Sequence, residues 1–226
     1  MVSQSVPADA ATPTWWRRML AAEREALLGG SPADERMLWL SVAGAVSEPR
    51  AAGVLDLVVH GERLGGDLQA ASSEWPLRDD SFDRVVLQHA LEAADDAQSL
   101  LDEALRVLKP ERGIAVLAVG AMGWTRLKLH FADCGAPPLR VQPLRALLDA
   151  LVQRGCVDLR VSRVDFDGSA QARVSAPARL WSGLCLVEAR KRRELPNVRP
   201  LRARGRTPAA VSGWVARPTS RSGLAA

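Results

Sequence analysis

The stretch Trp75–Val119, WPLRDDSFDRVVLQHALEAADDAQSLLDEALRVLKPERGIAVLAV, decides how the chain folds. It opens on a turn-rich segment, Trp75 to Ser81, where Pro76, Asp79, Asp80 and Ser81 favour a loop. Phe82 to Leu87 is a compact apolar run, rich in β-branched residues, of the kind found in central parallel strands. Asp95 and Asp96 then precede Leu100, Leu101, Ala104, Leu105 and Leu108, which recur on one helical face. Gln98, three residues after Asp95, approximates a capping box. Lys109 and Pro110 close the helix, Gly113 turns the chain, and Ile114 to Val119 is another buried strand. Strand, helix, turn and strand in this order form a βαβ unit.

Upstream of this unit, Trp15, Trp16, Met19, Leu20, Leu27 and Leu28 recur at helical spacing, with Arg17, Arg18, Glu23 and Glu25 between them. A helix from Pro13 to Leu28 follows, ended by Gly29 and Gly30. Trp15 and Trp16 are read as packing residues in preference to a cover over a ligand mouth. Met37 to Ala43, which ends at Gly44, and Val54 to Val59 are apolar runs suited to strands buried on both faces. Only about ten residues separate them, with Pro49 and Gly53 inside, too few for a full crossover helix. Downstream, Leu144, Leu147, Leu148, Leu151 and Val152 define a helix stopped near Gly155. Val157 to Val164 alternates as an edge strand does, and Leu184 to Ala189 is the last strand. The fold expected is α/β: a Rossmann-like, doubly wound, mostly parallel sheet with an antiparallel last strand.

Composition bounds the rest. A chain of 226 residues has room for one decorated α/β domain or two small ones. Its 47% hydrophobic and 25% charged residues argue against collagen, coiled coil or disorder throughout. The best apolar run, Gly113 to Trp124, contains three glycines and falls short of the roughly 20 residues a bilayer span needs. Met1 to Thr14 lacks the basic and apolar succession of a secretory signal, so the expected location is the cytoplasm, with no membrane partner. Cys134, Cys156 and Cys185 are odd in number and widely spaced, which fits small buried residues better than disulfides.

Charge divides the chain after Ala189. Residues 1–189 hold 20 Lys+Arg and 25 Asp+Glu, net −5; residues 190–226 hold 10 and 1, net +9; the two sum to the chain's +4. The layout expected is a disordered N-terminus (1–14), one domain (15–189) and a basic, Pro- and Arg-rich tail without a core (190–226). Contact with RNA, DNA or an acidic partner is one reading of the tail. A solvated terminus is the other, since arginine excess runs through the whole chain, with 27 Arg against 3 Lys.

The quoted stretch resembles the middle of the class I S-adenosylmethionine-dependent methyltransferases of the type 11 group. The matching pieces are the LPF-D-x-SFD loop, the VV-x-x-H-x-LEH strand end, the LL-x-EA-x-RVLKP helix and the final strand. MLAAEREALLGG, the Leu144 to Gly155 helix and LWSGLCLVEARKRRELPNVRP are similar to a proteobacterial branch of that family, the YafS-like proteins, which also carry a basic tail. The resemblance implies methyl transfer from S-adenosyl-L-methionine to an unidentified substrate.

It also implies where the cofactor would lie. In the family the first strand ends in D-x-G-x-G, because the methionyl part of the cofactor lies against backbone and a Cβ would intrude. Here LWLSVAGAV puts Trp39 at the acidic position and Ser41, Val42 and Ala43 at the G-x-G positions, with Gly44 next. The ribose-holding acid after the second strand has only His60 and Glu62 as counterparts, and the acid beside the adenine maps to Ala71 or a serine neighbour such as Ser72. The implied cofactor-binding residues are thus Ser41, Val42, Ala43, Gly44, Ala71, Ser72, Gln88 and His89. Losing two or three charge-assisted hydrogen bonds of about 1.5–3 kcal/mol each lowers affinity by several orders of magnitude. A second reading follows, a non-catalytic descendant of the fold whose tail contacts nucleic acid or an acidic partner.

His89 is the candidate catalytic residue. As a neutral imidazole it would serve as a general base, although methyl transfer from a sulfonium often needs only alignment. The alternative is a histidine hydrogen-bonded at a strand end. Gln88 is a candidate for the cofactor's amino or carboxylate group, or else a turn amide. Asp79, Asp80 and Asp83 are read as structural. Arg126 and Lys128 would meet an anionic substrate or simply end a solvated helix. His60 and His130 lack ligand-spaced partners, so no metal is expected. No G-x-S-x-G, P-loop or zinc signature is present.

Overall fold

The structure, a computed structural model, describes residues 14–28, 34–43, 52–120, 139–140, 142–164 and 184–193. These all belong to the first of two units, Met1–Glu194; the second, Leu195–Ala226, lies outside the described residues. So do Gly44, Cys134, Arg126, Lys128, His130 and residues 1–13, whereas Thr14, the last of the N-terminal residues expected to be disordered, is helical.

In chain order the elements are α1 (Thr14–Leu28), β1 (Met37–Val42), β2 (Val54–His60), β3 (Arg63–Gly66), β4 (Ala70–Ala71), β5 (Phe82–Gln88), α2 (Ala90–Ala93), α3 (Ala97–Val107), β6 (Leu108–Val119), α4 (Leu144–Gln153), β7 (Cys156–Val164) and β8 (Leu184–Lys191). The strands form one sheet in the order β4-β3-β2-β1-β5-β6-β8-β7. Pairs β1/β2, β1/β5 and β5/β6 are parallel, whereas β3 and β8 each run against both of their neighbours. Six of the eight strands therefore point one way, and the mostly parallel sheet with an antiparallel last strand is present. β7 forms the outer edge, as its alternation required.

The other edge departs from a doubly wound pattern. Two residues, Gly61 and Glu62, join β2 to β3, and a parallel neighbour needs a connection of a dozen or more. The result is a hairpin, with Gly61 at φ +60° and His60 facing Arg63.

Apolar residues on both faces explain the buried strands. Leu38, Leu40, Val85, Leu87, Ile114 and Val116 face α3 and α4, which contribute Leu100, Leu101, Ala104, Leu147 and Leu151. Met37, Trp39, Val86, Ala115 and Leu117 alternate to the opposite face and meet Leu27 of α1. At the carboxyl end of the parallel strands, Trp16, Met19 and Leu20 of α1 pack on Val42, Val119 and Leu184. Helix α1 thus covers one face and reaches the edge where ligands bind in open sheets of this kind.

Several local expectations are corrected. The cap of α3 is Asp96, not Asp95: its side chain accepts from the Gln98 and Ser99 amides at 3.0 and 3.1 Å. Asp95 pairs instead with Arg140. The last strand runs two residues past Ala189, because Arg190 bonds Asp158 and Glu111 and Lys191 bonds Asp80. The first residues of the expected tail are therefore part of the sheet.

The quoted family-like loop is held by Arg106. All five of its N–H donors are engaged: with Glu103 twice, with the carbonyls of Trp75 and Leu77, and with Asp79. Asp83 accepts from Lys109 and from the Arg36 amide. The acids read as structural are thus engaged in fixing the loop and strand starts.

Candidate functional site

Parallel strands β1 and β5 end side by side, and the residues singled out in the sequence gather there unevenly. Ser41 is buried, its hydroxyl donating to the Leu57 carbonyl at 3.3 Å. Val42 is fully buried under α1, and Ala43 is half-buried. Gln88 and His89, at the end of β5, are both 0% exposed. Ala71 lies in β4, three strands beyond β1, exposed, and Ser72 is buried with its amide bonded to Glu62 and its carbonyl accepting from the Trp75 indole. His60 ends β2 exposed to solvent.

The chemistry-bearing groups form a buried cluster around Gln88 and His89. The Gln88 amide nitrogen donates to the Leu20 carbonyl at 2.8 Å and to Glu23 Oε2 at 2.7 Å, and its oxygen accepts from the Trp39 indole at 3.1 Å. His89 Nε2 lies 3.2 Å from Glu23 Oε1, and its Nδ1 lies 3.8 Å from Glu92 Oε2. The other Glu92 oxygen accepts from the Val119 amide at 2.6 Å. Beside the cluster, Arg24 makes a two-pronged pair with Asp56 at 2.6 and 2.8 Å and stacks over Trp39, 4.8 Å from its centroid.

His89 adopts a left-handed conformation, φ +54°, uncommon outside glycine, at the turn from β5 into α2. Burial by itself pushes its pKa down. The flanking carboxylates, Glu23 first and then Glu92, more than reverse this and raise it to about 10. An imidazolium at neutral pH has no lone pair to take a proton, so His89 in this arrangement is a donor rather than the neutral base expected from sequence. The cluster keeps three buried polar atoms without a hydrogen bond: Trp16 Nε1, His89 Nδ1 and Glu92 Oε2.

Sequence reading missed Glu23, Trp39 and Glu92. In the sequence Glu23 falls between the apolar positions of α1, yet it stands seven residues after Trp16 and four before Leu27, on the helix's buried face. An acid in that position was the available signal. Glu92, one turn after His89, falls on α2 by the same logic.

No helix among the described residues is long and apolar enough to cross a membrane. Among the same residues, no three His, Cys, Asp or Glu side chains gather in a way that would hold a metal ion. Cys156 and Cys185 are buried.

The fold is that of the class I methyltransferases. A family model described as a methyltransferase domain matches residues 51–117, from the approach to β2 through most of β6 and less than a third of the chain. A SAM-dependent methyltransferase from Thermotoga maritima superposes with a TM-score of 0.54 at 17% identity, covering 79% of this chain and 93% of that one. One from Archaeoglobus fulgidus gives 0.53 at 13% identity, with 77% and 94% covered. The (4+2)-cyclase SpnF gives 0.50 at 16%, with 77% and 82% covered. No protein of curated function matches the sequence.

Proposed function

We propose that the chain is an S-adenosylmethionine-dependent methyltransferase acting in the cytoplasm on a substrate still to be identified, and that it belongs to the YafS-like branch. The observation that carries this reading is the family match over residues 51–117, which runs through β5 to the site-bearing Gln88 and His89. In this reading Ser41 to Gly44 floor the cofactor, Ala71 and Ser72 border its adenine end, and Gln88 and His89 face its methionyl end. The unpartnered atoms of Trp16, His89 and Glu92 suit a polar, charged group at that last position. The cofactor would supply an electrophilic methyl. The chain's own task would be to align the acceptor with it and to exclude water.

The fit is partial. Side chains stand at positions where the family has glycine, and Val42 is packed under α1. Of the acids on and just after β2, Asp56 is taken by Arg24, and Glu62 stands exposed in the link to β3. These observations favour a second reading, a binding protein built on the same fold. The cyclase that shares the fold supports keeping the two apart, since fold alone does not fix the reaction.

Calorimetry of the full chain with S-adenosylmethionine and S-adenosylhomocysteine tests the first reading. A Kd in the micromolar to low millimolar range supports it, and no heat or melting shift at millimolar ligand overturns it. For the second reading, deleting residues 195–226, which carry six arginines and no acid, should abolish salt-sensitive retention on nucleic acid or on an acidic matrix. Unchanged retention removes that role from the tail.

A further inference from the structure

Ligands of open α/β sheets bind outside the carboxyl ends of the parallel strands. At that edge, the side-chain donors that end β5 converge on a carboxylate from the chain itself. Gln88 Nε2 reaches Glu23 Oε2 at 2.7 Å and His89 Nε2 meets Oε1 at 3.2 Å, one donor for each oxygen. An amide N–H and an imidazole N–H set side by side make a carboxylate receptor. Helix α1 delivers the occupant, and Glu23, Gln88 and His89 are all 0% exposed.

A second observation stands apart from this pairing. Two donors, Trp16 Nε1 and His89 Nδ1, and one acceptor, Glu92 Oε2, are buried beside the receptor without a hydrogen bond, His89 Nδ1 and Glu92 Oε2 meeting only as an ion pair at 3.8 Å. Glu23 alone leaves these hydrogen bonds unmade. A carboxylate accompanied by an ammonium would use both kinds.

We propose that Glu23 is an internal ligand, seated by α1 in a carboxylate receptor formed by Gln88 and His89. An external molecule bearing an α-amino-acid group competes with it, placing its carboxylate on Gln88 and His89 and its ammonium on Glu92. This rests on the methyltransferase reading only for the location of the site; the group is common to a free amino acid and to the methionyl end of the cofactor. Helix α1 is then a cover that yields on binding, since Glu23 and the ligand carboxylate occupy the same donors.

The test uses the full chain, wild type against Glu23→Ala, with melting temperature read in formate, acetate, chloride at equal ionic strength, L-methionine and S-adenosylhomocysteine. The truncated variant should melt lower and regain part of the loss in formate or acetate but not chloride, while the wild type responds to none of the three. L-methionine or S-adenosylhomocysteine should bind the variant at least tenfold more tightly than the wild type. A folded variant indifferent to small carboxylates overturns the receptor. Equal S-adenosylhomocysteine affinity for both chains overturns the competition and leaves the methyltransferase reading standing. Formate rescue and tighter L-methionine binding without any S-adenosylhomocysteine binding keep the receptor and overturn that reading. Should Glu23→Ala fail to fold, amide hydrogen exchange across Thr14–Leu28 of the wild type decides. Faster exchange on adding L-methionine at millimolar concentration supports displacement of α1, and unchanged exchange overturns it.

Discussion

The Arg106 clamp and the Gln88–His89 cluster are both polar knots that join distant parts of the chain, and they are built on opposite principles. The clamp is partly open to solvent, the Arg106 side chain 31% exposed, and each of its five donors has an acceptor. The cluster is fully buried, carries two carboxylates around one imidazole and leaves three polar atoms without a hydrogen bond. A satisfied network holds a shape, whereas a buried, incompletely satisfied one holds a reserve of binding capacity. The family-like stretch of sequence contains the whole clamp, Trp75, Leu77, Asp79, Glu103 and Arg106. What makes the chain recognisable is therefore mostly scaffold, and the groups able to do chemistry come together by tertiary contact.

The comparison breaks most visibly at His89. Replacing it by Asn keeps a residue that tolerates the left-handed backbone while removing the cation between Glu23 and Glu92. The two acids are then buried without compensation, and a loss of about 3–5 kcal/mol is expected. Urea unfolding measures it. A loss under about 1 kcal/mol would mean that the carboxylates are protonated or hydrated in the native state and that the cluster is no more charged than the clamp.

Titration probes the same difference without a substitution. The native pKa of His89 lies near 10, above its ordinary 6.5, so the native state holds a proton that the unfolded chain releases between those values. Stability from this source is complete below about pH 6.5 and declines as pH rises toward 10, by at most about 1.4 kcal/mol per pH unit. Between pH 7 and 9 the wild type should lose about 2 kcal/mol that His89→Asn does not lose. Parallel pH profiles for the two proteins would show that His89 is neutral in the fold and return it to the role of a base.

Legibility in the sequence follows the same division. The βαβ unit, the edge position of β7 and the antiparallel last strand could be read because period, caps and β-branched runs act over a few residues. The β2–β3 hairpin was missed since its signal is a two-residue link, Gly61-Glu62, into a strand of only four residues, Arg63–Gly66. At the candidate site Gln88 and His89 were found from their place at a strand end. Glu23 lies 65 residues from Gln88, and its place on the apolar face of α1 marks it for burial without naming its partner. The partner is decided by α1 docking across the strand ends, a packing event that local sequence does not specify.

On the clamp side, Arg106→Ala removes every link between α3 and the Trp75–Asp79 loop that this side chain makes, and leaves Glu103 with the Trp75 amide alone. With the site partly exposed, water replaces some of these bonds, and a loss of about 1.5–2 kcal/mol is expected, smaller than at His89. The response of the protein to L-methionine or S-adenosylhomocysteine should be unaltered in this variant. A changed ligand response would show that the loop and the carboxyl edge communicate.

The smallest effect is the most discriminating for the idea of two independent knots. Arg106 and the cluster share no hydrogen-bonding partner among the described residues, so combining Arg106→Ala with Glu23→Gln should give losses that add within about 0.5 kcal/mol. The matching cycle inside the cluster, Glu23→Gln with His89→Asn, should be strongly non-additive, because each change removes the partner of the other. Both cycles require only equilibrium unfolding curves with a common slope. Coupling of about 1 kcal/mol or more between Arg106 and Glu23 would tie the scaffold to the site. It would mean that the signature stretch acts on the ligand-binding edge through the body of the sheet and does more than hold the loop in place.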